Sequence, residues 1–202
     1  MSRKKTRFAL LGLLSWKPMS GYDIKKLIDM GLSHFWNENY GQIYPTLDQL
    51  VNDGLAKKSV DRGSGKRKRH VYRITPRGKA AFHEWLGLPT AAPVVRNELQ
   101  LKFFLSSRLP AKDSLRIIKE YRSQQQEVLK EYRESETALR KAIESGVYPA
   151  EVEEILTGHE KKQSAKQKAK QCNMFLLSLR HGILAVEARI VWCDEVITNL
   201  TR

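Results

Sequence analysis

Apolar side chains recur every three or four residues over most of this chain, and the pattern changes to alternation around one polar turn. Phe8 to Trp16 predicts a first helix over about Thr6–Trp16, which Lys17-Pro18 breaks. Ser20 and Asp23 have the spacing of a capping box for a second helix, about Gly21–Met30, with Gly31 ending it. The segment from Leu32 to Asn39 is rich in aromatics, and Phe35 and Trp36 read as core. A third helix, about Gly41–Asn52, puts Ile43, Leu47, Leu50 and Val51 on one stripe and Gln42, Thr46 and Gln49 on another. Pro45 falls early in it, where a missing N–H would lack a partner anyway, and Asp53-Gly54 stops it. Leu55–Val60 and His70–Thr75 then alternate on either side of Gly63-Ser64-Gly65, which predicts a hairpin. Thr75 caps a further helix, with Pro76 at its first position and Phe82, Trp85 and Leu86 along it.

Gly87-Leu88-Pro89-Thr90-Ala91-Ala92-Pro93 has two prolines, one glycine and no charge, the clearest boundary in the chain. Everything beyond it reads as helix. Asn97–Ser106 is a short apolar element with Phe103 and Phe104. Pro110 opens a long helix to about Glu144, in which Ile118, Tyr121, Gln125, Val128, Tyr132, Ser135, Leu139 and Ala142 are three or four apart. Gly146 and Pro149 end it, a short helix follows at about Ala150–Leu156, and Lys161–Lys170 reads as a solvated basic face. The last helix, about Ala165–Leu200, repeats Phe175, Leu179, Ile183, Val186, Ile190, Cys193, Ile197 and Leu200, widened by Leu176, Leu177, Leu184 and Val191. A face that broad needs partners on more than one side. A second copy of the chain would supply them, so Phe103, Phe104, Phe175, Leu179, Ile183, Val186, Ile190 and Ile197 are the expected dimerisation residues. A bundle closed within one chain is the alternative.

The pattern therefore predicts a mainly α protein with a small β-hairpin. Residues 1–87 form a winged helix-turn-helix, 88–96 a linker and 97–202 an all-helical dimerisation domain. Charge sharpens this. Of the formal net charge of +14, residues 1–95 carry +10, from 17 Lys+Arg against 7 Asp+Glu. The excess sits on the part with the helix, turn and hairpin, as steering towards a polyanion requires. Five cations lie between Arg62 and Arg69 at the hairpin tip, with Lys66, Arg67, Lys68 and Arg69 expected on phosphates and Gln42, Tyr44, Thr46 and Gln49 in a DNA major groove. Tyr44 could equally pack against the hairpin.

Three motifs give the chain a family resemblance. Phe8-Ala9-Leu10-Leu11-Gly12-Leu13-Leu14, Ser20-Gly21-Tyr22-Asp23-Ile24 and Gly41-Gln42-Ile43-Tyr44-Pro45-Thr46-Leu47 look like the PadR family of bacterial transcription regulators. Asp53-Gly54-Leu55 and Tyr72-Arg73-Ile74-Thr75-Pro76-Arg77-Gly78 continue the match, and the C-terminal part resembles the helical extension of larger members related to virulence activators. The resemblance implies a homodimeric repressor on an inverted-repeat operator in double-stranded DNA. It adds Ser20, Tyr22, Gly41 and Pro45 to the DNA-facing set, although Ser20 and Tyr22 also read as capping and packing. It implies release by an aromatic or drug-like effector, for which Trp16, Trp36, Trp85, Tyr121 and Trp192 are the candidates; plain core packing is the other reading of those rings.

Other chemistry is not expected. His34, His70, His83, His159 and His181 lack metal-ligand spacing, and no phosphate-binding loop or nucleophile motif occurs, so neither an enzyme nor a cofactor or metal site is anticipated. Cys172 and Cys193 are about 30 Å apart along one helix, too far to bridge. Arg3, Lys4, Lys5 and Arg7 before an apolar run imitate a secretory signal, but no cleavage site follows, so a cytoplasmic address and no membrane partner are expected. Two alternatives stay open: a winged-helix protein-interaction module, and a transcriptional activator without a ligand.

Overall fold

The computed structural model describes residues 2–33, 35–61, 69–90, 92, 96–157 and 164–202. In chain order these form α1 (Ser2–Trp16), α2 (Gly21–Leu27), α3 (Tyr40–Asn52), β1 (Ala56–Asp61), β2 (Arg69–Ile74), α4 (Pro76–Leu86), α5 (Glu98–Leu105), α6 (Ala111–Ser145), α7 (Ala150–Thr157) and α8 (Ala165–Leu200). Contacts divide them into two units, Met1–Thr90 with Gly146–Gln171, and Ala91–Ser145 with Cys172–Arg202. The expected boundary placed everything after Asn97 together. Instead α7 lies along α1, and Leu156 is fully buried. No described helix is long and apolar enough to cross a membrane.

The first unit is built on the inner faces of three helices. Leu10, Leu11 and Leu14 of α1, Ile24 of α2, and Ile43, Leu47 and Leu50 of α3 are wholly buried together. The Ser20 hydroxyl accepts from the Asp23 N–H, and the Asp23 carboxylate accepts from the Ser20 N–H, which closes the capping box that starts α2. Gly31 does not end this helix as expected, because α2 loosens into a π-turn over Ile28–Leu32. The end of α3 is sharper. Gly54 takes φ +69°, its N–H reaches the Val51 carbonyl at 3.0 Å, and the Leu55 N–H reaches Leu50 at 2.9 Å. That pair of bonds is a Schellman stop, which turns the chain directly into β1.

β1 and β2 pair antiparallel from Ala56 opposite Ile74 to Asp61 opposite Arg69. A bridge between Met19 and Tyr72 ties β2 to the α1–α2 connection, with bonds of 3.1 and 2.8 Å. Thr75 caps α4 through the Gly78 N–H and also donates to the Gly54 carbonyl at 2.8 Å, so the α3 stop and the α4 start share one side chain.

In the second unit α6 and α8 run antiparallel. Arg122 pairs with Asp194 at 2.5 Å, Arg189 donates to Gln125 at 3.2 Å, and Arg133 pairs with Glu187. Near one end Ile118 packs with Cys193 and Val196. Near the other, buried Glu136 accepts from Arg133 and Arg140 at 2.8 and 2.7 Å and lies 3.6 Å from Arg180. This pairing corrects the expected dimerisation stripe. Leu179, Ile183 and Val186 are already buried within the single chain, Phe103, Phe175, Ile190 and Ile197 are half-buried, and Phe104 alone of the expected set is largely open at 82%. The open apolar line on α8 is Met174, Leu177, Leu184 and Val191, on a different side of the helix.

Candidate nucleic-acid interface

α3 is positioned by its inner face and so presents its outer one. Asn39 caps it: the Asn39 side chain accepts from the Gln42 N–H and the Gln42 side-chain carbonyl accepts from the Asn39 N–H, both at 3.0 Å. One helical turn of about 100° per residue then decides exposure. Gly41, Tyr44, Pro45, Asp48 and Gln49 face out, whereas Ile43, Thr46, Leu47 and Leu50 face in.

Two residues of the expected DNA-facing set are therefore corrected, one from the groove and one from the backbone contacts. Thr46 is 6% exposed, and its hydroxyl donates to the Gln42 carbonyl at 2.7 Å, because it lies only about 40° round the helix from Leu50. Ser20 is 7% exposed and spends its hydroxyl on Asp23. Gln42 is half-buried with its side-chain oxygen engaged in the cap, which leaves its amide N–H groups. Gln49 keeps the open position. Pro45 lies inside α3 rather than in its first turn, so the Gly41 carbonyl one turn back lacks the N–H it would otherwise receive.

Aromatic rings border this face. Tyr44 stacks on Tyr40 with centroids 6.0 Å apart, and its ring covers the start of α2 so closely that a Cβ on Gly21 would come within 2.6 Å of it. Tyr44 thus packs against α2 rather than the hairpin, while remaining partly open. Tyr22, on the outer side of α2, is 61% exposed. Arg69 at the head of β2 approaches Asp23 at 3.7 Å. Lys66, Arg67 and Lys68 lie outside the described residues.

Sequence reasoning missed Asp48, Lys58 and Tyr72. The Lys58 ammonium reaches Asp48 Oδ1 at 3.2 Å and lies 5.5 Å from the centre of the Tyr72 ring, whose hydroxyl is 3.5 Å from the same oxygen. The hydrogen bond to Asp48 holds the Lys58 ammonium above its usual range, and burial pushes the Tyr72 phenol up. Asp48 could have been found by spacing, since it follows Gly41 by seven residues, two full turns.

The aromatics expected around an effector fall into separate packings. Trp85 stacks on Phe8 with centroids 5.0 Å apart, and Trp16 packs on the first unit's core. Trp36 buries its indole N–H, which has no hydrogen-bond partner among the described residues. In the second unit Tyr121 and Trp192 join the Ile118 cluster, Trp192 meeting Phe103 edge-on at 5.3 Å. Among the described residues no cluster of His, Cys, Asp and Glu is placed to hold a metal ion.

Comparison with known proteins gives these features a context. Residues 10–84 match the transcriptional regulator PadR-like family, and residues 95–201 match the virulence activator alpha C-terminal region. The negative transcriptional regulator PadR of Bacillus subtilis is 30% identical over 139 residues, which is 68% of this chain and 76% of that protein. The crystal structure of Bacillus subtilis PadR with operator DNA has a TM-score of 0.73 at 22% identity, over 96% of this chain and 98% of the other. The same protein with p-coumaric acid gives 0.66 at 21% identity, over 97% and 98%. The Vibrio cholerae virulence activator AphA gives 0.69 at 26% identity, also over 97% and 98%.

Proposed function

The chain belongs to the PadR-like family of transcriptional regulators, and on that premise we propose that it is a homodimeric, sequence-specific DNA-binding repressor. The observation that carries this reading is the outer face of α3, which bears Gly41, Tyr44, Pro45, Asp48 and Gln49 and no exposed leucine, isoleucine, valine or methionine. A helix built to dock on protein would show an apolar stripe there. Here the stripe is wholly inward, so the outer face is suited to base edges. Gln49 has the open amide that pairs with adenine, and the Gln42 amide can donate to an acceptor beside it. Tyr22, Tyr44 and the cations of the hairpin tip supply the flanking contacts to backbone, which set register without reading sequence.

Dimerisation falls to the open line of Met174, Leu177, Leu184 and Val191 on α8, with Leu101, Phe104 and Leu105 of α5, all left in water by the single chain. Two-fold symmetry then requires an inverted-repeat operator with half-site centres about 34 Å apart. This function calls for no catalytic centre, cofactor or metal, and it is exercised in the cytoplasm, where the DNA is. Bacillus subtilis PadR binds p-coumaric acid, and we extend an aromatic or drug-like effector to this chain, acting by tighter binding to the DNA-free state.

Selection of duplex sites from a random pool, followed by salt titration, tests the reading. An enriched inverted repeat is expected, with affinity falling steeply with salt. Replacing Lys66 and Arg67 by alanine should weaken binding to all sequences and flatten the salt slope by about one unit per lost phosphate contact. Failure to enrich any sequence overturns the proposal. Titration of the selected site with aromatic acids and cationic drugs tests release. The C-terminal match to virulence activators favours a second reading, activation, which a promoter reporter with and without the protein separates from repression.

A further inference from the structure

α3 contains one charged side chain, and it is an anion on the face proposed to enter a polyanion's groove. Electrostatics alone would remove it: the rest of the first 95 residues carries a large cationic excess. Asp48 is nevertheless open, 57% exposed at its side chain, within about 20° of Gly41 round the helix. It is also held in place. Lys58 from β1 and the hydroxyl of Tyr72 from β2 both address Oδ1. Oδ2 accepts no hydrogen bond among the described residues. One oxygen is thus anchored by the hairpin, while the other is left as an acceptor on an exposed side chain.

Resting on the DNA-binding reading above, we propose that Asp48 is a specificity-determining residue that selects cytosine, with Lys58 and Tyr72 as the residues that position it. The chemistry follows from the groove edges. Cytosine presents the N4 amino donor, which a carboxylate accepts. Guanine presents the N7 and O6 acceptors and thymine the O4 acceptor, so a carboxylate facing either meets like partial charge. Adenine offers a donor at N6 but an acceptor beside it at N7. Lys58 cancels much of the charge of Asp48 against the phosphates, so the anion's residual effect is discrimination rather than general repulsion.

The test uses the full-length protein and the site that wild-type protein enriches, in a panel with each base pair replaced in turn, read by fluorescence anisotropy. Wild-type protein should lose roughly tenfold in affinity when one cytosine in each half-site is replaced. Asp48→Ala should abolish that preference, leave the other positions unchanged and bind unrelated duplexes more tightly. Asp48→Asn, which keeps the shape and an acceptor for Lys58 but leaves an amide N–H in place of the free carboxylate oxygen, should move the preference at that position away from cytosine, towards the acceptors of guanine or thymine. An anchor that only braces the hairpin would lower the melting temperature of both variants and leave the base profile as it was. Variants with the wild-type base profile therefore overturn the assignment of Asp48 alone. Wild-type protein that enriches no sequence overturns the regulator reading itself, and this assignment with it.

Discussion

At the scale of single residues, two side chains of α3 that share a sequence pattern have opposite roles. Thr46 is inside and bonded to its own helix, whereas Gln49 is open. Thr46→Ala should lower stability by about 1 kcal/mol, the net value of a partly buried hydrogen bond, and leave base preference intact. Gln49→Ala should instead leave the urea midpoint unchanged and cost about 1–3 kcal/mol on the preferred site, relaxing one position. Equal effects of the two on binding would show that the outer face has been misassigned. Gly78 is a residue where space decides. A Cβ there would stand 2.1 Å from the Leu55 carbonyl oxygen, which is itself fixed by the Thr75 N–H at 3.0 Å. Gly78→Ala must push backbone apart at the α3–β1–α4 junction, and urea denaturation should show a loss of about 3 kcal/mol.

At the scale of elements, the pairing of α6 with α8 hangs on a buried carboxylate. Hydrogen bonds from Arg140 and Arg133 hold the Glu136 carboxyl below its ordinary 4.5, with the nearby Arg180 charge adding to them. A group with a depressed folded value contributes stability that is complete above 4.5 and disappears as pH falls through the lowered value. Acid unfolding followed by circular dichroism should therefore steepen below that point in the wild type. Glu136→Gln should be less stable at neutral pH, because three guanidinium groups lose their common anion, and should show a flatter acid limb. An unchanged acid limb would mean that this cluster does not govern the α6–α8 pairing.

At the scale of the whole molecule, two adjacent positions on α8 separate folding from assembly. Ile183 is fully buried in the single chain, while Leu184 is 55% exposed on the line that also holds Leu177 and Val191. Ile183→Glu buries a charge without a partner and should leave an unfolded protein. Leu184→Glu and Val191→Glu should stay helical and sediment as monomers, with weakened binding to the full inverted repeat and unchanged binding to a half-site. Light scattering that showed a stable wild-type monomer at micromolar concentration would overturn the dimer.

How far the chain announces all this depends on the range of the interaction. The Ser20–Asp23 cap, the Gly54 stop, the Thr75-Pro76 start and the hairpin strands, placed to within a residue, were legible because each depends on hydrogen bonds or backbone angles within a few positions. The capping role of Asn39 was as local, but it was hidden by placing the start of α3 one residue late. Which stripe of a helix faces inward is a different kind of fact. Thr46 and Gln42 differ by one turn along the same side of α3, and only the packing of α1 and α2 against that helix makes one buried and the other half-open. On α8 the periodicity marked one broad apolar face, and only the pairing with α6 decided that Ile183 belongs to the chain's own interior and Leu184 to its surface. Asp48 meets partners ten and twenty-four residues further on, brought to it by the turn at Gly54 and the register of the hairpin. Local geometry is written in neighbouring residues, whereas burial and charge pairing are set by what the folded chain brings from elsewhere.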